Sequence, residues 1–222
     1  MPYLDRHGDV AVVNLGQRDV SDTENRFHPD WAAELDSLLD EVLAHDGPGA
    51  LVTTASGKFY SNGLDLDWLQ ANRDQWESYV RQVQALLARV LTFPMITVAA
   101  LPGHTFAAGA MLALAQDRRV MRADRGFMCF PEVDIAIPFT PGMNALIVAK
   151  LPVGTAHESM TTGRRYGGAE AAACGLVDQA AAEDEVLELA VEQAQALAGK
   201  RGPTLGAIKS ELYADVVRKL LV

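Results

Sequence analysis

Cysteine is scarce in this chain: Cys129 and Cys174 are the only two in 222 residues, and no short spacing joins them. That excludes a disulfide framework and a cysteine-based zinc site, and leaves both as small buried hydrophobes. Long apolar runs are also missing. No stretch approaches the roughly 20 residues that a membrane-spanning helix needs, because the best candidates are broken by proline or charge. The N-terminal MPYLDRHGDVAVV has no basic segment followed by a long apolar core, so nothing there reads as a secretory signal, and a cytoplasmic protein with no membrane partner is expected. Positive charge is in deficit. The formal net charge is −10, and no basic run or basic and aromatic stripe offsets it, which argues against a nucleic-acid partner. The five histidines, His7, His28, His45, His104 and His157, form no HxH or HxxxH pair, and no carboxylate cluster has the spacing of a metal loop, so no metal is expected. There is no G-x-S-x-G elbow, no phosphate loop ending in GK[ST], and no dinucleotide G-x-G-x-x-G after a strand.

What is present is enough for one compact domain. The chain is 49% hydrophobic and 22% charged, and its length allows a substantial core. VAVVNLG (10–16), ALVTT (50–54) and MITVAAL (95–101) read as buried strands. PDWAAELDSLLDEVLAHD (29–46) places Trp31, Leu35, Leu38, Leu39, Val42 and Leu43 on one helical stripe, and Trp76, Val80, Val83, Leu87, Val90 and Leu91 repeat the spacing up to Pro94. RRVMRAD and the FMCFPEVDI region are expected to be short extended segments. Helices are expected over 141–151, 156–162, 168–174, 183–200 and 203–221, with GLVDQA as a strand or turn. Strands dominate early and helices late, with no linker-like shift in composition.

Two segments share one architecture, ALVTTASGKFYSNGLDLDWL and MITVAALPGHTFAAGAMLAL: a buried strand enters a glycine-containing turn and then a helix. Turns of this kind point backbone N–H groups outward at a helix start, where free donors and the helix dipole favour negative charge. Two close-packed turns that need small residues would give the same pattern. A third segment, MCFPEVDIAIP (128–138), sets Glu132 in an almost wholly apolar run. Either Glu132 faces solvent from an edge strand, or it is a base whose basicity is set by a dry pocket, since a carboxylate taken out of water without a partner costs several kcal/mol. Asp134 would share its face in an extended segment. Asp65 is placed to cap or brace the first turn, and Asp117 to end the helix after the second.

These segments, with TTGRRYGGAEAAACGLVDQA after them, resemble the crotonase (enoyl-CoA hydratase/isomerase) superfamily in order and over nearly the whole chain. The resemblance implies an α/β fold, a crotonase-type spiral of ββα units. One domain is expected over 1–222, with the ββα core at about 1–180 and C-terminal helices at about 183–222 that serve oligomerisation, as a homotrimer or dimer of trimers. It also implies an acyl-CoA substrate, coenzyme A being part of the substrate rather than a cofactor. The two oxyanion-hole amides carry over to Leu64 in SNGLD and Ala108 in FAAGAM. Of the two glutamates that handle water in the hydratases, the first position is Met111 here and the second is Glu132. The loss of one acid, with FPEVDIAIP and SNGLDLDWL, makes the chain most like the monofunctional Δ3,Δ2-enoyl-CoA isomerases of plant peroxisomal type, with hydratase activity weak or absent. Glu132 is then the single proton shuttle beside a thioester enolate. Trp68, Leu69, Met111, Phe139 and Met143 are the expected acyl-pocket walls, although apolar residues at such spacing also serve as plain core. Arg26, Lys58, Lys209, Arg218 and Lys219 are candidate partners for the CoA phosphates. The alternatives on the same fold are a hydratase, decarboxylase or thioester hydrolase, or a catalytically silent acyl-CoA-binding subunit.

Overall fold

The structure, a computed structural model, describes residues 1–21 and 23–222. Its first half is a succession of strand, strand and helix. β1 (Tyr3–His7) and β2 (Val10–Asn14) form a hairpin and are followed by α1 (Pro29–Ala44). β3 (Ala50–Thr54), β4 (Phe59–Ser61), α2 (Leu66–Ala71) and α3 (Trp76–Leu91) make the second unit. β5 (Ile96–Leu101), β6 (His104–Phe106) and α4 (Ala108–Ala115) make the third, and β7 (Arg118–Arg122) with β8 (Met128–Cys129) opens the fourth. After a short 3-10 turn at Pro131–Val133 come α5 (Pro141–Lys150), α6 (Val153–Thr162), α7 (Gly168–Ala173), β9 (Gln179–Ala181), α8 (Val186–Gln195), α9 (Pro203–Leu212) and α10 (Ala214–Leu220).

Successive units feed two sheets. The first runs β1-β2-β3-β5-β7-β9, parallel except for the β1–β2 hairpin, and the second runs β4-β6-β8, all parallel. This is the crotonase spiral. The inner strands of the first sheet are apolar on both faces, as parallel strands covered on each side must be. Val12, Val52, Val98 and Val120 face Ala190 and Ala194 of α8, while Val13, Leu51, Ala99 and Met121 face the main core with α1, α3 and α4. α4 is buried along its whole length, which explains why AGAMLALA has no polar stripe. Among the described residues, no helix is long and apolar enough to cross a membrane.

Several elements depart from expectation. Tyr3–His7 is a strand that periodicity did not show, because only its pairing with β2 orders it. The turn expected at 57–65 contains β4, three residues held by the neighbouring β6. Trp76 opens α3 but is 40% exposed, outside the buried stripe. The helix expected over 183–200 ends at Gln195, and the one over 203–221 breaks at Tyr213, whose ring packs 5.2 Å beneath the Lys150 ammonium while α10 turns to lie on α5 and α3. Residues after Cys129 are not extended: Pro131, with φ suited to a first helical position, starts the 3-10 turn that carries Glu132.

Candidate active site

The first turn follows β4. Ser61 Oγ donates to Asn25 O at 2.7 Å and accepts from Gly63 N at 3.1 Å, and the neighbouring segment clamps the turn through Phe27 N to Gly63 O (2.9 Å) and Asn62 N to Glu24 O (2.9 Å). Gly63 takes φ +84. Asp65 then caps α2, accepting from Trp68 N at 3.1 Å, and its own N–H donates to Tyr79 Oη at 2.9 Å. The Leu64 N–H, between these bonds, finds no protein acceptor among the described residues.

The second turn follows β6. Ala107 sits at φ 50, ψ −123, a conformation that side chains rarely adopt, pinned by its N–H to Cys129 O at 3.0 Å and by Met111 N donating to its carbonyl at 3.0 Å. Ala108 begins α4, so its N–H has no intrahelical acceptor and lies at the positive end of a buried helix dipole. The turns touch. A Cβ on Gly63 would lie 2.9 Å from Ala107 Cβ and 3.2 Å from Ala108 N, and one on Gly109 would lie 2.7 Å from Ser61 Cβ. Only glycine at 63 and 109 lets the two free amides line one cavity.

That cavity encloses about 300 Å³. Leu64, Ala108 and Glu132 are in its wall, and Met111, Phe139 and Met143 supply apolar surface. Glu132 is only 7% exposed, Oε2 has no hydrogen-bond partner among the described residues, and burial pushes its carboxyl up to about 7. It is therefore not the solvent-facing glutamate of an edge strand. The other carboxylate in the wall, Asp67, has an 83% exposed side chain and is bound to Arg26 at 2.5 Å. A single unpaired acid beside two free backbone donors can remove a proton from carbon next to a carbonyl and deliver it elsewhere on the same molecule.

Not every expected wall residue is there. Trp68 and Leu69 do not line the cavity. Trp68 packs on Tyr79 with ring centroids 5.2 Å apart, and Leu69 points into the core, because the Asp65 cap starts α2 with those side chains turned inward. Asp134 follows the 3-10 turn out to the surface rather than sharing the Glu132 face. Of the candidate phosphate partners, only Arg26 reaches the cavity. Lys209 is buried on Asp117 (2.5 Å) and Met95 O (2.8 Å), Arg218 and Lys219 pair with Asp215, and Lys58 lies over the Phe59 ring. Asp117 lies just past Gln116, the C-cap of α4, and binds β5 rather than the helix end, accepting from Thr97 N at 2.8 Å. Asn62, Phe106, Ile135 and Ile137 also line the cavity. Asn62 and Phe106 flank the two turns and could have been read from them. The isoleucines sit in an irregular loop whose path no periodicity encodes.

The sequence matches the enoyl-CoA hydratase/isomerase family over residues 5–221. It is 38% identical over 228 residues to "Enoyl-CoA delta isomerase 3" of Arabidopsis thaliana, covering 98% of this chain and 94% of that protein, and 37% identical to "Enoyl-CoA delta isomerase 2, peroxisomal" of the same plant, covering 97% and 93%. Among solved structures, the apo enoyl-CoA isomerase of Mycobacterium tuberculosis superposes with a TM-score of 0.88 at 26% identity, covering 99% of this chain and 93% of that one. Human mitochondrial delta3-delta2-enoyl-CoA isomerase has the same fold, with a TM-score of 0.87 at 22% identity, covering 99% and 86%. With its strand order, its paired turns and these matches, the chain belongs to the enoyl-CoA hydratase/isomerase family, the crotonase superfamily.

Proposed function

We propose that this protein is an isomerase that moves the double bond of a 3-enoyl-CoA to the 2-position, without adding water. The observation that carries this reading is the lone buried carboxyl: Glu132 faces the cavity with one oxygen unpartnered, and Met111 occupies the place on α4 where a second acid would be needed to activate water. The names of the plant relatives support the same reaction.

In this mechanism Glu132, as carboxylate, takes a proton from C2. The electron pair moves through C1 onto the thioester oxygen, which the N–H groups of Leu64 and Ala108 hold, giving a dienolate. Glu132, now the acid, returns its proton to C4, and the double bond forms between C2 and C3. Each such backbone donor typically supplies about 2.7–4 kcal/mol in the transition state. A carboxyl pushed up to about 7 suits both halves of the cycle, since it gains and loses a proton near neutral pH. The apolar walls exclude water and keep the unpartnered oxygen basic. The reading extends to assembly: α9 leaves Ile208 and Leu212 58% and 67% exposed, an apolar surface suited to the homotrimer expected of these C-terminal helices.

The test is to incubate purified protein with 3-hexenoyl-CoA and, separately, 2-hexenoyl-CoA, and to separate isomer from hydrated product. Isomer without 3-hydroxyacyl-CoA is expected. Glu132→Gln should lower kcat/KM by about 10²–10⁴, the usual worth of a positioned acid–base group, with CoA-ester affinity largely kept. A hydrated product, or undiminished turnover in Glu132→Gln, would overturn the assignment.

A further inference from the structure

The free N–H of Leu64 is useful only if it is aimed, and its aim is set by its neighbours. In a trans peptide the carbonyl and the N–H point opposite ways, so the Leu64 N–H follows the Gly63 carbonyl that shares its peptide plane. That carbonyl accepts from Phe27 N at 2.9 Å, and Phe27 is bridged in parallel to Leu64. On the other side of Leu64, Asp65 N donates to Tyr79 Oη at 2.9 Å, and the same hydroxyl donates to Phe27 O. Three hydrogen bonds among Phe27, Gly63, Asp65 and Tyr79 therefore enclose Leu64. Tyr79 is the member that comes from α3.

Tyr79 is buried and does not line the cavity, so it cannot touch a ligand there; its ring packs on Trp68. Burial pushes its hydroxyl above the usual tyrosine range, which keeps the proton available for Phe27 O. Without the hydroxyl, Phe27 O and Asp65 N lose a partner together, and the segment that grips the Gly63 carbonyl is released from α3. The second turn is held differently. Ala107 is pinned by backbone groups alone, its N–H on Cys129 O and its carbonyl under Met111 N. One side-chain oxygen can therefore be removed to loosen the Leu64 donor while the Ala108 donor stays in place.

We propose that Tyr79 is a positioning residue for the oxyanion donors: by tying Phe27 O to Asp65 N, its hydroxyl fixes the direction in which the Leu64 N–H meets the thioester oxygen. This rests on the reading of the Leu64 and Ala108 amides as one oxyanion site, and adds to it a residue that acts from outside the cavity. The effect belongs to the charged state. A neutral thioester carbonyl gains little from a well-aimed donor, whereas the dienolate oxygen carries a full charge and gains most from donors held in advance.

Tyr79→Phe keeps the ring on Trp68 and removes only the hydroxyl. Its kcat on 3-hexenoyl-CoA should fall about tenfold or more, while the affinity for the saturated ester hexanoyl-CoA stays within about threefold. A second readout needs no turnover. Acetoacetyl-CoA loses its C2 proton to solvent to give an enolate that absorbs in the near ultraviolet and shares its charge with the thioester oxygen. At a fixed pH, binding to the wild type should raise the ratio of enolate to keto form above that of the free ester, and the ratio in bound Tyr79→Phe should be about tenfold lower than in bound wild type. Val83→Ala truncates a buried side chain one turn further along α3 and gives the comparison: it should lower the denaturant midpoint and leave kcat and the enolate ratio unchanged. Absence of isomer from the wild type would defeat the isomerase reading, and the enolate ratio would still decide the role of Tyr79. A wild-type enolate ratio in Tyr79→Phe, an equal loss in Val83→Ala, or no rise of the ratio on binding to the wild type would overturn the proposal. If Tyr79→Phe does not fold, Tyr79→Met, flexible enough to fill the same space without a hydroxyl, takes its place with the same outcomes.

Discussion

The two ends of α4 handle buried charge in opposite ways. At its start, the Ala108 N–H is free, the adjoining turn holds Ala107 at positive φ, and the carboxyl facing the same cavity, Glu132, is left with an oxygen unpaired. Just beyond its end, the carbonyl of Gln116 accepts from Lys150 Nζ at 2.9 Å and from Arg119 Nη1 at 3.3 Å. Arg119 is paired with Asp178 at 2.7 Å and Lys209 with Asp117 at 2.5 Å. The same buried helix therefore presents a free backbone donor at one end and, just past the other, a backbone carbonyl bonded twice among paired charges. Burial without a partner raises a group's energy and makes it reactive, while burial with partners costs little and holds elements together. The unpaired end is where chemistry belongs; the paired end fastens α5 and α9 to the core.

The sharpest way to break this contrast is to unpair the fastened end. Asp117→Asn keeps an acceptor for Thr97 but removes the counter-charge of Lys209, which is only 4% exposed. Losing one partner of a buried pair costs about 3–5 kcal/mol, so the denaturant midpoint should fall steeply. Adding Lys209→Met should recover at least half of the loss, because an apolar side chain in that place leaves no orphaned charge. Turnover measured well below the new melting temperature should stay near wild type, since this end of α4 does not reach the cavity. If the double variant were no more stable than the single one, the paired end would not be held by charge.

Next in size is Gly63→Ala. Its Cβ would meet Ala107 Cβ at 2.9 Å and Phe106 O at 3.0 Å, and φ +84 adds strain of its own. The turns must separate, and the two amides with them. Loss of one such donor lowers kcat by about 10²–10³, and we expect that range here, with a smaller effect on CoA-ester binding. Wild-type kcat in this variant would mean that the free amides do not act together.

The contrast between the ends also shows what a one-dimensional reading can reach. The spiral was legible because each strand–turn–helix segment is local: valine-rich runs, a glycine turn and a small-residue helix stand next to one another in the chain. That Leu64, Ala108 and Glu132 would line one cavity followed from the resemblance of their segments to the family's motifs; the neighbouring glycines and the apolar run marked only two tight turns and an unusual carboxylate. Trp68 and Leu69 were misplaced because the direction of α2 is set by the Asp65 cap and the Tyr79 hydroxyl, contacts that spacing does not report. Lys209 looked like a surface cation for phosphate until the fold brought it to Asp117, 92 residues away. The Pro131 kink likewise decided between the two readings of Glu132, since a straight strand would have put Asp134 on the same face.

The unpaired end has a signature in stability as well as in rate. In the folded chain the Glu132 carboxyl is pushed up to about 7 by burial, against about 4.3 in an open peptide. The folded state thus holds more protons than the unfolded one between those values, and the contribution of this group to stability falls as pH rises through that window. By pH 8 the ionised form costs the native state about 3–4 kcal/mol. Glu132→Gln cannot ionise, so it should be more stable than wild type by that amount at pH 8, with the gap closing below about pH 4.3. Chemical denaturation of both proteins at pH 4.5, 6 and 8 gives the comparison, and parallel curves would show that Glu132 is not desolvated. In the active protein the same ionisation should appear as a single acid limb in kcat/KM centred near 7, without an alkaline limb, as only one group titrates.

The smallest expected effect concerns Ala107. Its positive φ strains any residue with a Cβ, and Ala107→Gly removes that strain while adding chain entropy to the unfolded state, two terms of about 0.4–1 kcal/mol or slightly more that oppose each other. The net change in stability should be under about 1 kcal/mol, in the stabilising direction. Its value lies in combination. Ala107 Cβ is the nearest atom to a Cβ added at Gly63, so removing it gives the added methyl of Gly63→Ala somewhere to go, although Phe106 O at 3.0 Å still resists. The double variant Gly63→Ala/Ala107→Gly should therefore regain part of the lost kcat, about tenfold, which is a coupling of about 1.4 kcal/mol between residues in direct contact. Strict additivity of the two substitutions would show that the turns are positioned separately, and that the proposed oxyanion site does not depend on their close approach.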